Sequence, residues 1–174
     1  MFTPKKVALA VVGAGALAVA PAAYAATTAG LTLTGAVQSI LAVTVTPTAS
    51  ATGLDLTALV SQLKVATVKA ESNNVAGYVV SVSSGNQTAG NCPTTNGPCF
   101  YSAVSTGAKL GFSVVRDSVA VSFTGANGTF INKTSRSIVG GDNYDAKISY
   151  DGTAANLPQA TNYSETLTFT IANQ

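Results

Sequence analysis

Two segments at opposite ends of this chain alternate apolar and hydroxyl side chains with a period of two, and that pattern constrains the fold more than any other feature. In LTLTGAV, Leu31, Leu33 and Val37 fall on one face and Thr32 and Thr34 on the other. In YSETLTFTIANQ, Leu167, Phe169 and Ile171 oppose Thr166, Thr168 and Thr170. This is the period of a strand with one buried and one wet face. A terminal strand is also the piece of a sheet that can be lent to another molecule.

The residues ahead of Leu31 read as a secretory leader. Lys5 and Lys6 form a basic start, Val7 to Ala20 is an apolar run, and Ala23-Tyr24-Ala25 supplies the small-residue cleavage pattern. The expected cut lies between Ala25 and Ala26. The run is short for a bilayer span, which needs about 20 residues. No Cys stands at the cut to carry a lipid, and no later stretch is long and apolar enough to span as a helix. The sequence therefore predicts an exported, soluble product with no integral membrane segment after cleavage of residues 1–25.

Cleavage removes two of the nine basic residues and leaves seven against seven acidic ones. A neutral, sparsely charged surface gives no electrostatic reason to bind nucleic acid or anionic lipid. It does favour association of the protein with copies of itself.

A chain of 174 residues less a leader of 25 suits one domain with a substantial core. Richness in Thr, Val, Ser, Ala and Gly predicts an all-β extracellular domain. After Leu31 to Val37, ILAVTVTP places Leu41, Val43 and Val45 on one face and stops at Pro47. Leu54 to Val60 is apolar without clear alternation and reads as a short strand or a helical turn. Leu63 to Glu71 and Gly77 to Ser84 flank Ser72-Asn73-Asn74, a hairpin turn or an inter-sheet corner. Phe100 to Val104, Lys109 to Val115 and Val119 to Thr124 follow, the last two separated by Arg116-Asp117-Ser118. Ala126-Asn127-Gly128 and Gly140-Gly141-Asp142 bracket a weakly patterned stretch. Tyr144, Ala146, Ile148 and Tyr150 then share a face before the final strand. Short strands punctuated by turns predict an antiparallel β-sandwich with Greek-key connections.

Cys92 and Cys99, an even pair in an exported chain, are expected to form one disulfide that pins a protruding loop. Their spacing is not C-x-x-C, and the chain has no His to complete a zinc site. The absence of His also removes Ser-His-Asp and Cys-His nucleophile systems. Asp142 and Asp145, near Asp151, invite comparison with a calcium loop or a carboxylate pair. They lack the spacing of either, and the preferred reading is Asp serving turn backbones. No catalytic residue, cofactor or metal is expected.

With these segments in view, GLTLTGAVQSILAVTVTP, VATVKAESNNVAGYVVSVSS and NYSETLTFTIANQ resemble the bacterial fimbrial major subunits of the spore-coat-U and archaic chaperone/usher type. The resemblance covers most of the mature chain and rests on strand patterns and turns. It implies an incomplete immunoglobulin-like sandwich, residues 38–174, completed by a donor segment at about 26–37 from another copy. Leu31, Leu33 and Val37 would be the plug residues, and Gly35 would sit where the receiving groove approaches closely. Leu167, Phe169 and Ile171 would line the acceptor groove, which a periplasmic chaperone would also use before an outer-membrane usher exports the fibre to the cell surface for adhesion or biofilm formation. Two features depart from the family pattern: Cys92 and Cys99 close only a local loop, and no aromatic residue stands at the extreme C-terminus.

The rival reading makes Leu31 to Val37 an ordinary first strand of its own domain, in a monomeric surface or matrix module that binds through loops such as Cys92 to Cys99. An outer-membrane barrel is disfavoured by the short strands and by the absence of Trp for aromatic girdles.

Overall fold

A computed structural model describes residues 30–104, 107–159 and 162–174; the expected leader, residues 1–25, lies outside them. The chain divides into two units, Met1–Ala36 and Val37–Gln174. Residues 30–36 contain no strand. The second unit is the β body.

The body carries eleven strands: β1 (Leu41–Pro47), β2 (Leu59–Ser72), β3 (Tyr78–Ser84), β4 (Cys99–Ser102), β5 (Ala108–Gly111), β6 (Ser113–Arg116), β7 (Val119–Ala120), β8 (Phe123–Thr124), β9 (Asn127–Lys133), β10 (Asp142–Asp151) and β11 (Leu167–Asn173). A 3-10 turn, Ala49–Ala51, and one helical turn, Gly85–Thr88, are the only helical pieces among the described residues. Every strand pair is antiparallel. One sheet runs β1-β2-β10-β6-β7, a second β11-β3-β9-β8, and β4-β5 form a small third.

The first two sheets face each other because each has one apolar face that can be buried only against another such face. Ala66, Val68 and Ala70 of β2, Ala146 of β10 and Val114 of β6 meet Tyr78, Val80 and Val82 of β3 and Phe130 and Ile131 of β9. Lys69 and Glu71, on the other face of β2, pair at 2.9 Å in solvent. A second cluster of Phe100, Leu110, Ile148 and Tyr150 extends the core under the β4-β5 sheet. The fold is thus the expected all-β antiparallel sandwich.

The strands depart from the sequence-based walk where the period of two breaks. Ser72-Asn73-Asn74 is an inter-sheet corner, since β2 and β3 lie in different sheets. Leu54 to Ala58 is an irregular turn in which Asp55 Oδ1 accepts from the Thr57 amide at 2.9 Å and its hydroxyl at 2.6 Å. β2 starts earlier than alternation suggested, passing through Gln62 at φ 50, where its register against β10 shifts. Lys109 to Val115 splits into β5 and β6, which serve different sheets. The weakly patterned stretch contains β9, an interior strand. Its register against β3 skips Phe130, and this bulge buries both Phe130 and Ile131.

The two ends of the sandwich matter below. At the upper end Leu41 pairs with Ser72, Asp142 with Ala70 and Asn173 with Tyr78. At the lower end Leu59 pairs with Asp151 and Leu167 with Ser84.

Asp142 Oδ1 accepts from the Ile138 amide of the preceding turn at 3.4 Å, the turn role expected of it, and Asp142 is also part of the core. It continues the inward face of Tyr144, Ala146, Ile148 and Tyr150, and it is buried. Its Oδ2 accepts from the Tyr78 hydroxyl at 2.7 Å and from Lys133 Nζ at 2.6 Å. Burial pushes the Asp142 carboxyl up, but Lys133, Tyr78 and the Ile138 amide outweigh it and hold the group below its ordinary range. A folded-state pKa below the unfolded value gives stability that is present above about the ordinary 3.8 and is lost as pH falls through the lower folded value. We therefore expect Asp142→Asn to cost about 1–3 kcal/mol at neutral pH. In urea titrations the gap between the variant and the unmodified protein should narrow as pH falls below the ordinary carboxylate value of 3.8.

Candidate functional site

β1 and β11 are the outer strands of their sheets on the same side of the sandwich, and each has a single strand partner. They lie side by side, and at the upper end the β2–β3 corner is tied to the end of β11, Ser72 Oγ donating to Asn173 Oδ1 at 3.3 Å and Asn74 Nδ2 to the Gln174 carbonyl at 3.1 Å. Toward the lower end β1 is followed by residues 48–58, and residues 162–166 precede β11.

The two strands turn apolar side chains into the space between them. Leu167, Phe169 and Ile171 are half-buried against the main core, with the Phe169 ring edge-on to Phe130 at 5.0 Å between centroids. Opposite, Val43 packs on the same core, while Leu41 and Val45 of the same face each remain 39% exposed. These residues are inward by strand parity and only partly covered at this side of the sandwich.

The backbone along both outer edges is open as well. Gly85 N donates to the Thr166 carbonyl at 3.0 Å and Gln174 N to the Gly77 carbonyl at 3.2 Å. Even-numbered residues of this stretch thus turn their amides and carbonyls toward β3, and Leu167, Phe169 and Ile171 turn theirs to the free edge. On β1, Thr48 N bonds the Val65 carbonyl and Asn73 N the Ile40 carbonyl, so Leu41, Val43 and Val45 face their backbones outward too. Pro47 ends this outward series, where its missing N–H costs no ladder bond.

The sequence reading singles out Leu167, Phe169 and Ile171, which share one half-buried face of β11 against the main core. It also singles out Leu31, Leu33, Gly35 and Val37. Leu31, Leu33 and Val37 are 83%, 84% and 88% exposed, and a Cβ on Gly35 would meet no atom within 4 Å. No described residue from 30 to 40 is in a strand. An extended segment needs a hydrogen-bonding partner to become a strand.

Glu165, which the sequence did not single out, organises the run-in to β11. Its Oε2 accepts from Ser84 Oγ at 2.6 Å and the Cys99 amide at 3.3 Å, and its Oε1 from the Asn86 amide at 3.1 Å and the Thr166 amide at 2.7 Å. Asn86 Nδ2 adds bonds to the carbonyls of Cys99 and Ser164 at 2.8 and 2.6 Å. Cys92 and Cys99 form the expected disulfide, with Cα atoms 5.5 Å apart. Cys99 is fully buried, and the Gly97 amide donates to the Gly125 carbonyl at 3.0 Å, so the loop is docked on the turn between β8 and β9 instead of standing free.

Among the described residues no cluster of His, Cys, Asp and Glu is arranged to hold a metal, and no helix is long and apolar enough to cross a membrane. Neither a protein-family model nor a curated protein matches this chain.

Replacing Glu165 by Ala leaves four donors without their common acceptor and should cost about 1–3 kcal/mol. Hydrogen exchange should show the Asn86, Cys99 and Thr166 amides losing protection before those of β2.

Proposed function

We propose that this protein is a structural subunit of an extracellular fibre that polymerises by strand donation and has no catalytic activity. What supports the reading is the side of the sandwich at β1 and β11, where Leu41 and Val45 stay 39% exposed and each edge strand has one strand partner. An immunoglobulin-like sandwich lacking one edge strand would have this form. A segment inserted beside β11 would extend the sheet and fill the groove with alternate side chains.

The occupant is the N-terminal segment 26–37 of another copy. Leu31, Leu33 and Val37 have the spacing to point inward together, and they are exposed in the single chain. Burying three or four aliphatic side chains contributes about 5 to 12 kcal/mol before the entropy of ordering. That is comparable with the stability of a whole domain. Donor and acceptor surfaces differ, so the contact is heterologous and propagates into a filament. In this reading the subunit is exported through the periplasm, and a chaperone shields the same groove until an outer-membrane usher releases the chain to the cell surface. Adhesion or biofilm formation is the role such a fibre would serve.

The test compares the mature protein with a form lacking residues 26–37, by negative-stain electron microscopy and unheated SDS gels. Filaments and a heat-sensitive ladder should appear for the first and vanish for the second. Leu33→Asp should abolish polymer while leaving the fold intact, because a carboxylate in the groove would be buried without a partner. A filament-free, well-folded monomer from the full mature chain would return the protein to the monomeric module reading.

A further inference from the structure

Strand donation joins two subunits through a single strand, and the body adds a feature that limits how they can then be placed. Asn73, in the corner between β2 and β3, holds the approach to β1. Its Nδ2 donates to the Gln38 carbonyl at 2.6 Å, its Oδ1 accepts from the Ile40 amide at 2.9 Å, and its own amide donates to the Ile40 carbonyl at 3.2 Å. The chain is therefore fastened to the upper end of its own body from Gln38 onward, one residue after the proposed donor segment.

Direction follows from the sheet. β11 runs from the lower end to the upper, and every pairing in this fold is antiparallel. A donated strand added to β11 in the same manner runs from the upper end to the lower and finishes with Val37 at the lower end of the acceptor. A residue spans about 3.4 Å of strand. The upper end of the donating subunit is thereby brought against the lower end of the accepting one.

These two surfaces complement each other. The upper end carries an exposed apolar turn between β9 and β10, with Ile138 65% and Val139 fully exposed, beside Ile40. The lower end carries a concave hollow of about 790 Å³ walled by Leu54, Leu56, Leu157, Pro158 and Tyr163 and floored by Phe100. Charge agrees as well. Arg136 is exposed beside the upper turn, and Asp55 lies at the rim of the lower hollow. Asp55 uses Oδ1 on Thr57, while Glu71 is engaged with Lys69 and Glu165 with its four donors.

We propose that the Ile138–Val139 turn of one subunit seats in the lower-end hollow of the subunit that receives its N-terminal segment, with Arg136 facing Asp55. The inference rests on the strand-donation reading and adds to it a second, body-to-body contact that fixes the angle between successive subunits.

Cross-linking tests it in the full mature chain carrying Val139→Cys and Leu157→Cys, oxidised after assembly. A ladder that survives boiling and collapses with reductant is expected. A control carrying Val119→Cys, on the far outer strand β7, with Leu157→Cys should give none. Charge reversal gives an independent readout: Arg136→Asp filaments should lose their regular subunit angle in electron micrographs, and adding Asp55→Arg should restore it. A heat-sensitive ladder without the boiling-resistant one, and with no change of angle in Arg136→Asp filaments, would overturn the contact and leave strand donation standing. No heat-sensitive ladder from the unmodified chain would remove strand donation and the contact with it.

Discussion

The inner faces of two sheets can be dry only where each covers the other, and this requirement governs the rest of the molecule. Val68, Val80, Val82 and Val114 sit in the middle of the sandwich and are almost completely buried. At the side where β1 and β11 run, the same inward parity continues but no layer covers it, and Leu41 and Val45 stay partly wet. The gradient from buried Val80 to half-buried Ile171, its partner across one ladder, shows where coverage stops. Such an edge is guarded against aggregation by occupation or by residues that block pairing, as Pro47 does at the end of β1.

The sequence was legible wherever the period of two ran unbroken. β11, β3 and the inward face of β10 could be read residue by residue, and so could the disulfide, because Cys92 and Cys99 had no other partner. Asp142 belonged to the same alternation as Tyr144, two residues further back; extending the pattern by one step would have placed it inside with Tyr78. Its turn role holds as well, since Oδ1 accepts from the Ile138 amide. Gly141 does need to be glycine, at φ +88 and with a Cβ that would lie 2.6 Å from Glu71 Cγ.

Elsewhere the signal was destroyed by the backbone itself. A bulge at Phe130 puts two consecutive apolar residues inside, so β9 carries no clean alternation. The chain changes sheet around Phe112, and its apolar pattern there serves two cores in turn. One edge strand's inward face was legible in Leu167, Phe169 and Ile171. The other was visible as alternation in β1, but that β1 and β11 lie on the same side depends on strand order, which no local pattern encodes. Glu165 had no signal at all, since its four donors come from Ser84, Asn86, Cys99 and its own neighbour.

Asn73 has a mechanical consequence. A pull on the chain ahead of Gln38 enters the body along the axis of β1. The seven residue pairs joining β1 to β2, Leu41–Ser72 to Pro47–Ala66, then share that load in shear, because the force runs parallel to the strands and across their hydrogen bonds. Peeling would break those bonds one at a time; the Asn73 bonds at Gln38 and Ile40 hold the approach so that peeling cannot begin at Leu41. The small corner between β2 and β3 thus makes the start of β1 a tension-bearing anchor.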